Sequence, residues 1–150
     1  MRFADFFTKQ RIVAELKAKN KQEAIAELAL LMKTSEEMLK YDLFLQDVYS
    51  RESLKSTGIG EGVAIPHART DSVADFVAAL GISRSGIEFE SIDGKPAQII
   101  LVAATPIHKG INGYLRMMSL FTKALSKDSF RQALIKAKTA DEIIEFLKKR

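Results

Sequence analysis

Two segments in the second half of the chain are apolar on both faces, and they constrain the fold more than any other feature. Ile99–Ala104 is a continuous apolar run that stops just before Pro106, and its length favours a buried strand over a helix. Phe76–Ser83 has the same character, which is typical of a strand in the centre of a sheet. The sequence therefore predicts two buried strands at the heart of the fold.

The flanking thirds of the chain are predicted to be helical. Asn20 followed by Glu23 resembles a capping box, and an apolar stripe at helical spacing follows it. Thr34 and Glu37 repeat that capping pattern and predict a second helix that ends near Arg51. Short strands are expected at Ile12–Leu16 and Val63–Ile65, and a strand with one wet face is expected around Ile87 and Phe89.

The last third predicts three further helices. Asn112 and Thr139 are the expected N-caps of the first and the last of them. The first is expected to turn one set of residues inward: Leu115, Met118, Thr122 and Leu125. Helices, then strands, then helices indicate an α/β or α+β layered fold.

Composition removes several classes of protein. A chain of 150 residues suits one domain, and the absence of Cys removes disulfides, thiolate metal sites and cysteine nucleophiles. The net charge of +4 is dispersed apart from Lys148–Arg150, so no nucleic-acid partner is expected. No apolar run reaches the roughly 18–20 residues of a membrane helix, and the first residues lack a signal peptide. We therefore expect a soluble, cytoplasmic protein without membrane insertion.

The glycine-rich segment Ser56–Gly62 does not match a nucleotide-binding motif. Gly58 and Gly60 fit the start of a dinucleotide fingerprint, but Val63 stands where the third glycine is needed. There is also no GxxxxGK[ST] motif, no GxSxG nucleophile elbow and no HExxH motif. We expect no cofactor and no metal, and interpret the glycines as a sharp turn or a close backbone approach.

His67 is the residue best placed to carry chemistry. It follows Pro66 at the end of a predicted strand, and a neutral imidazole is a nucleophile towards phosphorus. Arg51, Ser56 and Thr57 lie just upstream and are the residue types that hold a phosphoryl group. The alternative for His67 is a histidine that is structural or merely exposed, and His108 is expected to be a surface loop residue.

A long string of residues resembles a known family. Arg51-Glu52, Ser56 to Gly60 and Val63-Ala64-Ile65-Pro66-His67-Ala68-Arg69 are similar to the signature of the type-2 enzyme IIA domains of the phosphoenolpyruvate-dependent phosphotransferase system. That family includes the fructose/mannitol and the nitrogen-regulatory IIA proteins. The resemblance covers about residues 3–147 and implies a single α/β domain with a mixed sheet flanked by helices.

The resemblance also implies roles for residues. His67 would accept a phosphoryl group on Nε2 from a histidine phosphocarrier protein and pass it to a IIB partner. Arg51 would stabilise the phosphorylated site, and a loop with Ser56, Thr57, Gly58 and Gly60 would line it. The family usually has a second histidine where this chain has Tyr114, whose hydroxyl donates a hydrogen bond but which is no cation near neutral pH.

Two functions follow from the resemblance. The first is a sugar-transport phosphocarrier that serves a IIB protein. The second is a regulatory module whose phosphorylation state selects partner proteins, suggested by Tyr114 at the second-histidine position and by a chain without a fused IIB or IIC segment. The sequence names neither the sugar nor the regulatory partner.

Overall fold

One mixed sheet runs through the middle of the molecule in the computed structural model, which describes residues 1–150. The strands are β1 (Ile12–Val13), β2 (Gly58–Gly60), β3 (Val63–Ala64), β4 (His67–Thr70), β5 (Val77–Ile87) and β6 (Ala97–Pro106). The sheet order is β1-β5-β6-β3-β2, and β4 also pairs with β6. β5 and β6 are antiparallel, whereas β3 and β4 both run parallel to β6, one after the other along its length.

Helices cover both faces of this sheet. They are α1 (Lys21–Leu31), α2 (Tyr41–Leu54), α3 (Gly110–Leu125), α4 (Asp128–Lys136) and α5 (Ala140–Lys148). α1 and α2 pack on one face, while α3, α4, α5 and a short 3-10 turn at Phe3–Phe6 pack on the other. The α/β class with a mixed sheet flanked by helices, expected from the family resemblance, is confirmed. None of these helices combines the length and the apolar character that crossing a bilayer requires.

The two central strands are buried as predicted. Ile99, Leu101 and Ala103 of β6 point into the core beneath α3, and Ile100, Val102 and Ala104 point into the core beneath α1. All six are fully buried. Successive side chains of a strand point to opposite faces of the sheet, so an entirely apolar strand contributes side chains to both cores.

Local caps were predicted well in two helices and wrongly in two others. The Asn20 and Thr139 side chains accept hydrogen bonds from the backbone N–H of Glu23 and Glu142, at 2.9 and 3.1 Å. Thr34 instead ends a 3-10 turn, and its side chain donates to the Leu31 carbonyl and so does not cap a following helix. The next helix, α2, begins only at Tyr41. Asn112 lies inside α3, which begins two residues earlier at Gly110.

The buried face of α3 also differs from the prediction. The helix buries Gly113, Met117, Phe121 and Leu125, whereas Leu115 is 53% exposed. Phe121 sits in an aromatic cluster, with ring centroids 4.9 Å from Phe6 and 5.6 Å from Phe3. That cluster sets the rotation of the helix, and the rotation turns Tyr114 towards the sheet.

The segment after β5 is not the half-exposed strand that was predicted. Ile87 is the last residue of β5, and Phe89 is fully buried although it lies outside any strand. Glu90 then takes a positive φ of 55°, which ends the extended backbone. The chain turns there and brings Ile92 N–H to the Gly58 carbonyl at 3.1 Å, so this loop supports the glycine segment.

Candidate functional site

His67 lies where the chain passes from β3 to β4 along one neighbouring strand. Its backbone pairs with Ala103 of β6, and the Pro66 carbonyl accepts a hydrogen bond from Ala103 N–H at 3.0 Å. Pro66 lacks a backbone N–H and fixes its own φ, so this short link between the two strands is rigid. The sheet thus sets the position of the His67 backbone, and only 5% of the residue is exposed.

Two hydrogen bonds fix the imidazole and its tautomer. Nδ1 lies 2.7 Å from the Ile65 carbonyl oxygen, and because a carbonyl can only accept, Nδ1 carries the proton and donates it. Nε2 lies 2.9 Å from the Tyr114 hydroxyl, which donates to it. The neutral ring therefore turns the lone pair of Nε2 towards Tyr114.

The surroundings of His67 favour this neutral ring. Burial lowers its pKa below the ordinary value of 6.5, and the nearby charge of Arg51 acts in the same direction. The hydrogen bond to Ile65 and the charge of Glu52 oppose the shift without reversing it. An unprotonated Nε2 is the form that can attack an electrophile.

Arg51 and Tyr114 approach the ring from two different helices. Arg51 lies in the last turn of α2 and donates from Nη1 to the Lys55 carbonyl at 2.9 Å. Tyr114 lies in the second turn of α3, with its ring centroid 5.5 Å from that of His67. Arg69 adds a second cation, its guanidinium carbon lying 5.9 Å from the Tyr114 ring centroid. The structure thus places Tyr114 against the imidazole, Arg51 close enough for its charge to act on the ring, and Arg69 against Tyr114.

The hydroxyls of the glycine segment are engaged within the loop. Thr57 donates from its side chain to Glu52, and its backbone N–H donates to the same carboxylate at 2.9 Å. Ser56 donates to the Phe89 carbonyl and accepts from Gly58 N–H at 3.0 Å. In this state neither hydroxyl has its proton free for a ligand at His67.

Gly58 and Gly60 are needed for two different reasons. A Cβ on Gly58 would lie 2.9 Å from the Ser91 Cα, so only a hydrogen atom fits between the two backbones. Gly60 has a φ of +91°, in the region that favours glycine. β2 and β3 are joined by Glu61 and Gly62, whose positive φ values of 58° and 76° suit a tight hairpin.

Glu52 and Lys21 are parts of the site that the sequence did not reveal. The Lys21 Nζ lies 3.0 Å from Glu52 Oε2, and both side chains are almost fully buried. Thr57, held by Glu52, accepts through its carbonyl from Ile65 N–H at 3.1 Å. Ile65 in turn accepts a hydrogen bond from the His67 ring. Hydrogen bonds between successive residues therefore link Lys21 to the imidazole through Glu52, Thr57 and Ile65. The only signal in the sequence is that Glu52 directly follows Arg51.

His108 has no part in this arrangement. It lies on an exposed 3-10 turn at Ile107–Lys109, between β6 and α3. The expectation that it is a surface loop residue is confirmed.

The sequence matches one protein family over almost its whole length. The family model described as "Phosphoenolpyruvate-dependent sugar phosphotransferase system, EIIA 2" matches residues 5–150. The chain belongs to this family. The resemblance to type-2 enzyme IIA domains, seen first in the residues around His67, is thereby confirmed.

The proteins similar to this chain include sugar-specific components and nitrogen regulatory proteins. It is 34% identical over 149 residues to the fructose-specific EIIABC component of Bacillus subtilis, covering 98% of this chain and 23% of that relative. It is 24% identical over 149 residues to a nitrogen regulatory protein of Pseudomonas aeruginosa, covering 98% and 95% of the two chains. The chain thus spans about a quarter of the length of the first relative and nearly all of the second.

A solved EIIA 2 structure has the same fold. The nitrogen regulatory protein IIA-Ntr of Neisseria meningitidis superimposes with a TM-score of 0.84 at 29% identity, covering 96% of this chain and 97% of that one. The two chains therefore share one fold over nearly their whole length.

Proposed function

We propose that this EIIA 2 chain is a phosphohistidine carrier, with residues 3–147 as the functional unit. Nε2 of His67 accepts the phosphoryl group of a histidine phosphocarrier protein and passes it to a IIB partner. The observation that supports this most directly is the fixed tautomer, with Nδ1–H on the Ile65 carbonyl and the Nε2 lone pair facing the Tyr114 hydroxyl.

The chemistry of the step follows from that tautomer. The phosphorus–nitrogen bond of the donor breaks as a new one forms to Nε2, whose lone pair accepts phosphorus without losing a proton. The ring gains positive charge, and the Nδ1–H bond to Ile65 stabilises it. No metal or cofactor takes part in this proposal.

The remaining residues would hold the phosphoryl oxygens. Arg51 provides the nearby positive charge, and Tyr114 provides a hydroxyl donor already 2.9 Å from Nε2. Ser56 and Thr57, with Gly58 and Gly60, form the wall of the site, and Thr57 would donate to the group only after leaving Glu52.

The second candidate is a regulatory module that binds proteins according to its phosphorylation state. It is supported by Tyr114, which the family resemblance places where a second histidine is usual, since a phenol supplies no cation near neutral pH for a rapid onward transfer. The relative from Pseudomonas aeruginosa carries the description of a nitrogen regulatory protein.

Onward transfer separates the two functions. We expect phosphorylated protein, mixed with a purified fructose-type IIB domain, to lose its label to IIB within the time of mixing, because a carrier needs a labile P–N bond. The same label should remain when IIB is omitted. Label that stays on this chain in the presence of sugar IIB domains, together with partners retained by only one phosphorylation state, would favour the regulatory module instead.

Tyr114→Phe is expected to weaken the phosphorylated state about fivefold. A hydrogen bond from the Tyr114 hydroxyl stabilises by about 1 kcal/mol when the acceptor is the neutral Nε2 and by about 2 kcal/mol when it is a charged phosphoryl oxygen. Loss of the hydroxyl therefore costs the phosphorylated form about 1 kcal/mol more than the unphosphorylated form. The measurement is the equilibrium ratio of phosphorylated chain to phosphorylated phosphocarrier protein.

Tyr41→Phe is the matched control for that experiment. Tyr41 is half-buried in the first turn of α2, and its hydroxyl makes no hydrogen bond. Tyr41→Phe should leave the equilibrium ratio of phosphorylated chain to phosphorylated phosphocarrier protein unchanged. Equal ratios in Tyr114→Phe and in the original chain would remove Tyr114 from the phosphoryl site.

A further inference from the structure

Two adjoining grooves follow the outer side of α3, away from His67. One, of about 600 Å³, lies between α3, α4, α5 and the Phe3–Phe6 turn. The other, of about 740 Å³, lies between α3, Phe76 and the same N-terminal segment. They share Met1, Leu120 and Lys123 and therefore adjoin, and we call the two together the α3 groove.

The α3 groove is lined by apolar and basic side chains, and two of the basic ones, Arg2 and Lys109, are paired with Asp5 and Asp75 just outside it. Arg116, Lys123 and Lys127 line it, and none of the three has a carboxylate oxygen within 4.0 Å. No Asp or Glu lines either half. The polar cleft beside α1 is different, since Glu52 and Glu90 lie in it with Lys21. The excess of positive charge is therefore a local property of the α3 groove.

The spacing along α3 places these residues in one row. Arg116, Leu120 and Lys123 are separated by four and three residues, which puts them on one side of α3, and Lys127 follows two residues after that helix ends at Leu125. Leu115, next to this row, is 53% exposed, and Leu120 is half-buried. Exposed or half-buried apolar side chains thus lie among the basic side chains of the groove.

We propose that the α3 groove binds an acidic amphipathic helix of a partner protein. α3 has 16 residues, and at about 1.5 Å per residue it is about 24 Å long, which matches a partner helix of about four turns. Apolar side chains on one face of that helix would rest on Leu120 and Phe130. Carboxylates on its flanks would reach Arg116, Lys123 and Lys127, as complementary charge requires.

The concave shape favours a helix over a membrane surface. A bilayer presents a flat surface, and basic residues that bind it lie on a protruding face with apolar residues entering the lipid. Here Phe130 is only 8% exposed, while Arg116, Lys123 and Lys127 are exposed. The partner must therefore present a ridge, and the apolar face of a helix is such a ridge.

The α3 groove is separate from the phosphoryl site although one helix joins them. Tyr114 contacts His67 from the buried side of α3, while Arg116 and Lys123 lie on the outer side. Binding at the groove needs no phosphoryl group, so this proposal stands or falls independently of the carrier function.

The test uses the full chain, unphosphorylated, and a synthetic probe. The probe is a fluorescent amphipathic helix of about 16 residues with leucines on one face and glutamates on its flanks. We expect saturable binding by fluorescence anisotropy, with amide shift changes in the NMR spectrum confined to the residues that line the α3 groove and their neighbours. Lys123→Glu/Lys127→Glu should weaken binding by about tenfold or more, and Leu115→Ser should weaken it by a smaller factor.

Matched controls separate this surface from general attraction. Lys19→Glu/Lys40→Glu changes the net charge equally at two exposed positions outside the α3 groove and should leave binding unchanged. A scrambled probe of equal composition should not bind. The proposal is overturned if the probe fails to bind, if the two double variants weaken binding equally, or if the chain binds phosphatidylglycerol vesicles but not the probe.

Discussion

Replacing His67 by alanine is expected to abolish phosphoryl labelling of the chain. The original protein, incubated with phosphoenolpyruvate, the general phosphotransferase enzyme and the histidine phosphocarrier protein, should acquire one acid-labile group. The chain has two histidines, and only His67 has a ring whose tautomer and hydrogen bonds are fixed. Label on the intact protein, measured before and after acid treatment, gives the result directly.

His108→Ala is the matched control for that loss. It removes the other imidazole from an exposed turn and should leave the label and its acid lability unchanged. Because His67 is buried, circular dichroism and the urea midpoint of His67→Ala must first show that the variant folds, and His67→Gln provides a second variant of nearer volume. Labelling that persists in a folded His67 variant, or that survives acid, contradicts the carrier function.

Local physics predicted the parts of the fold that depend on neighbours in sequence. Ile99–Ala104 is a strand because a short run that is apolar throughout needs both faces buried, and this does not depend on what covers it. Asn20 and Thr139 cap their helices because the capping partner lies three residues away. Such features are determined before tertiary packing.

Packing between distant segments decided the features that the sequence missed. The rotation of α3 follows from Phe121 against Phe3 and Phe6, more than a hundred residues away in the chain. A helical stripe that includes Leu115 fits the sequence equally well, so periodicity alone could not choose between the two faces. Only the aromatic cluster made the choice.

In the candidate site, too, the features that depend on neighbouring residues were predicted, and those that depend on distant residues were not. His67 was singled out by Pro66 and the glycines beside it, but its contact with Tyr114, 47 residues away, was suggested only by the family resemblance. Glu52 was noted only as part of the family resemblance and was given no role, because a glutamate is expected in water unless a partner is known. Its partner Lys21 is 31 residues away on another helix, and no local pattern connects the two.

Glu52→Gln is expected to destabilise the fold by about 3 kcal/mol. Removing one partner of a buried ion pair leaves the other charge without compensation, at a cost of about 3–5 kcal/mol. Lys21 would keep only Glu90, at 3.4 Å and with an 81% exposed side chain, which places the loss near the lower end. Thr57 would also face an amide where it now donates twice to a carboxylate. The measurement is the free energy of unfolding in urea at pH 7.

An exposed pair provides the control for this prediction. Glu145 lies 4.0 Å from Lys148 on α5, and both side chains are more than 60% exposed, so Glu145→Gln should change stability little. Lys21→Met and the double variant Lys21→Met/Glu52→Gln complete a cycle, and the double variant should lose clearly less than the sum of the single losses. Additive losses would mean that packing, and not pairing, accounts for the cost.

The titration of His67 separates the electrostatic part of this effect from the structural part. Burial holds the pKa of His67 below 6.5, and the negative charge of Glu52 partly offsets that shift. Removing the charge should therefore lower the pKa of His67 further, as followed by the imidazole signals in NMR. Glu145→Gln should leave that pKa where it was. A pKa of His67 that rises in Glu52→Gln would mean that the loop has opened and that water reaches the ring. The hydrogen bonds that link Lys21 to His67 would then act by keeping the site closed to water, and not by adjusting the charge around the ring.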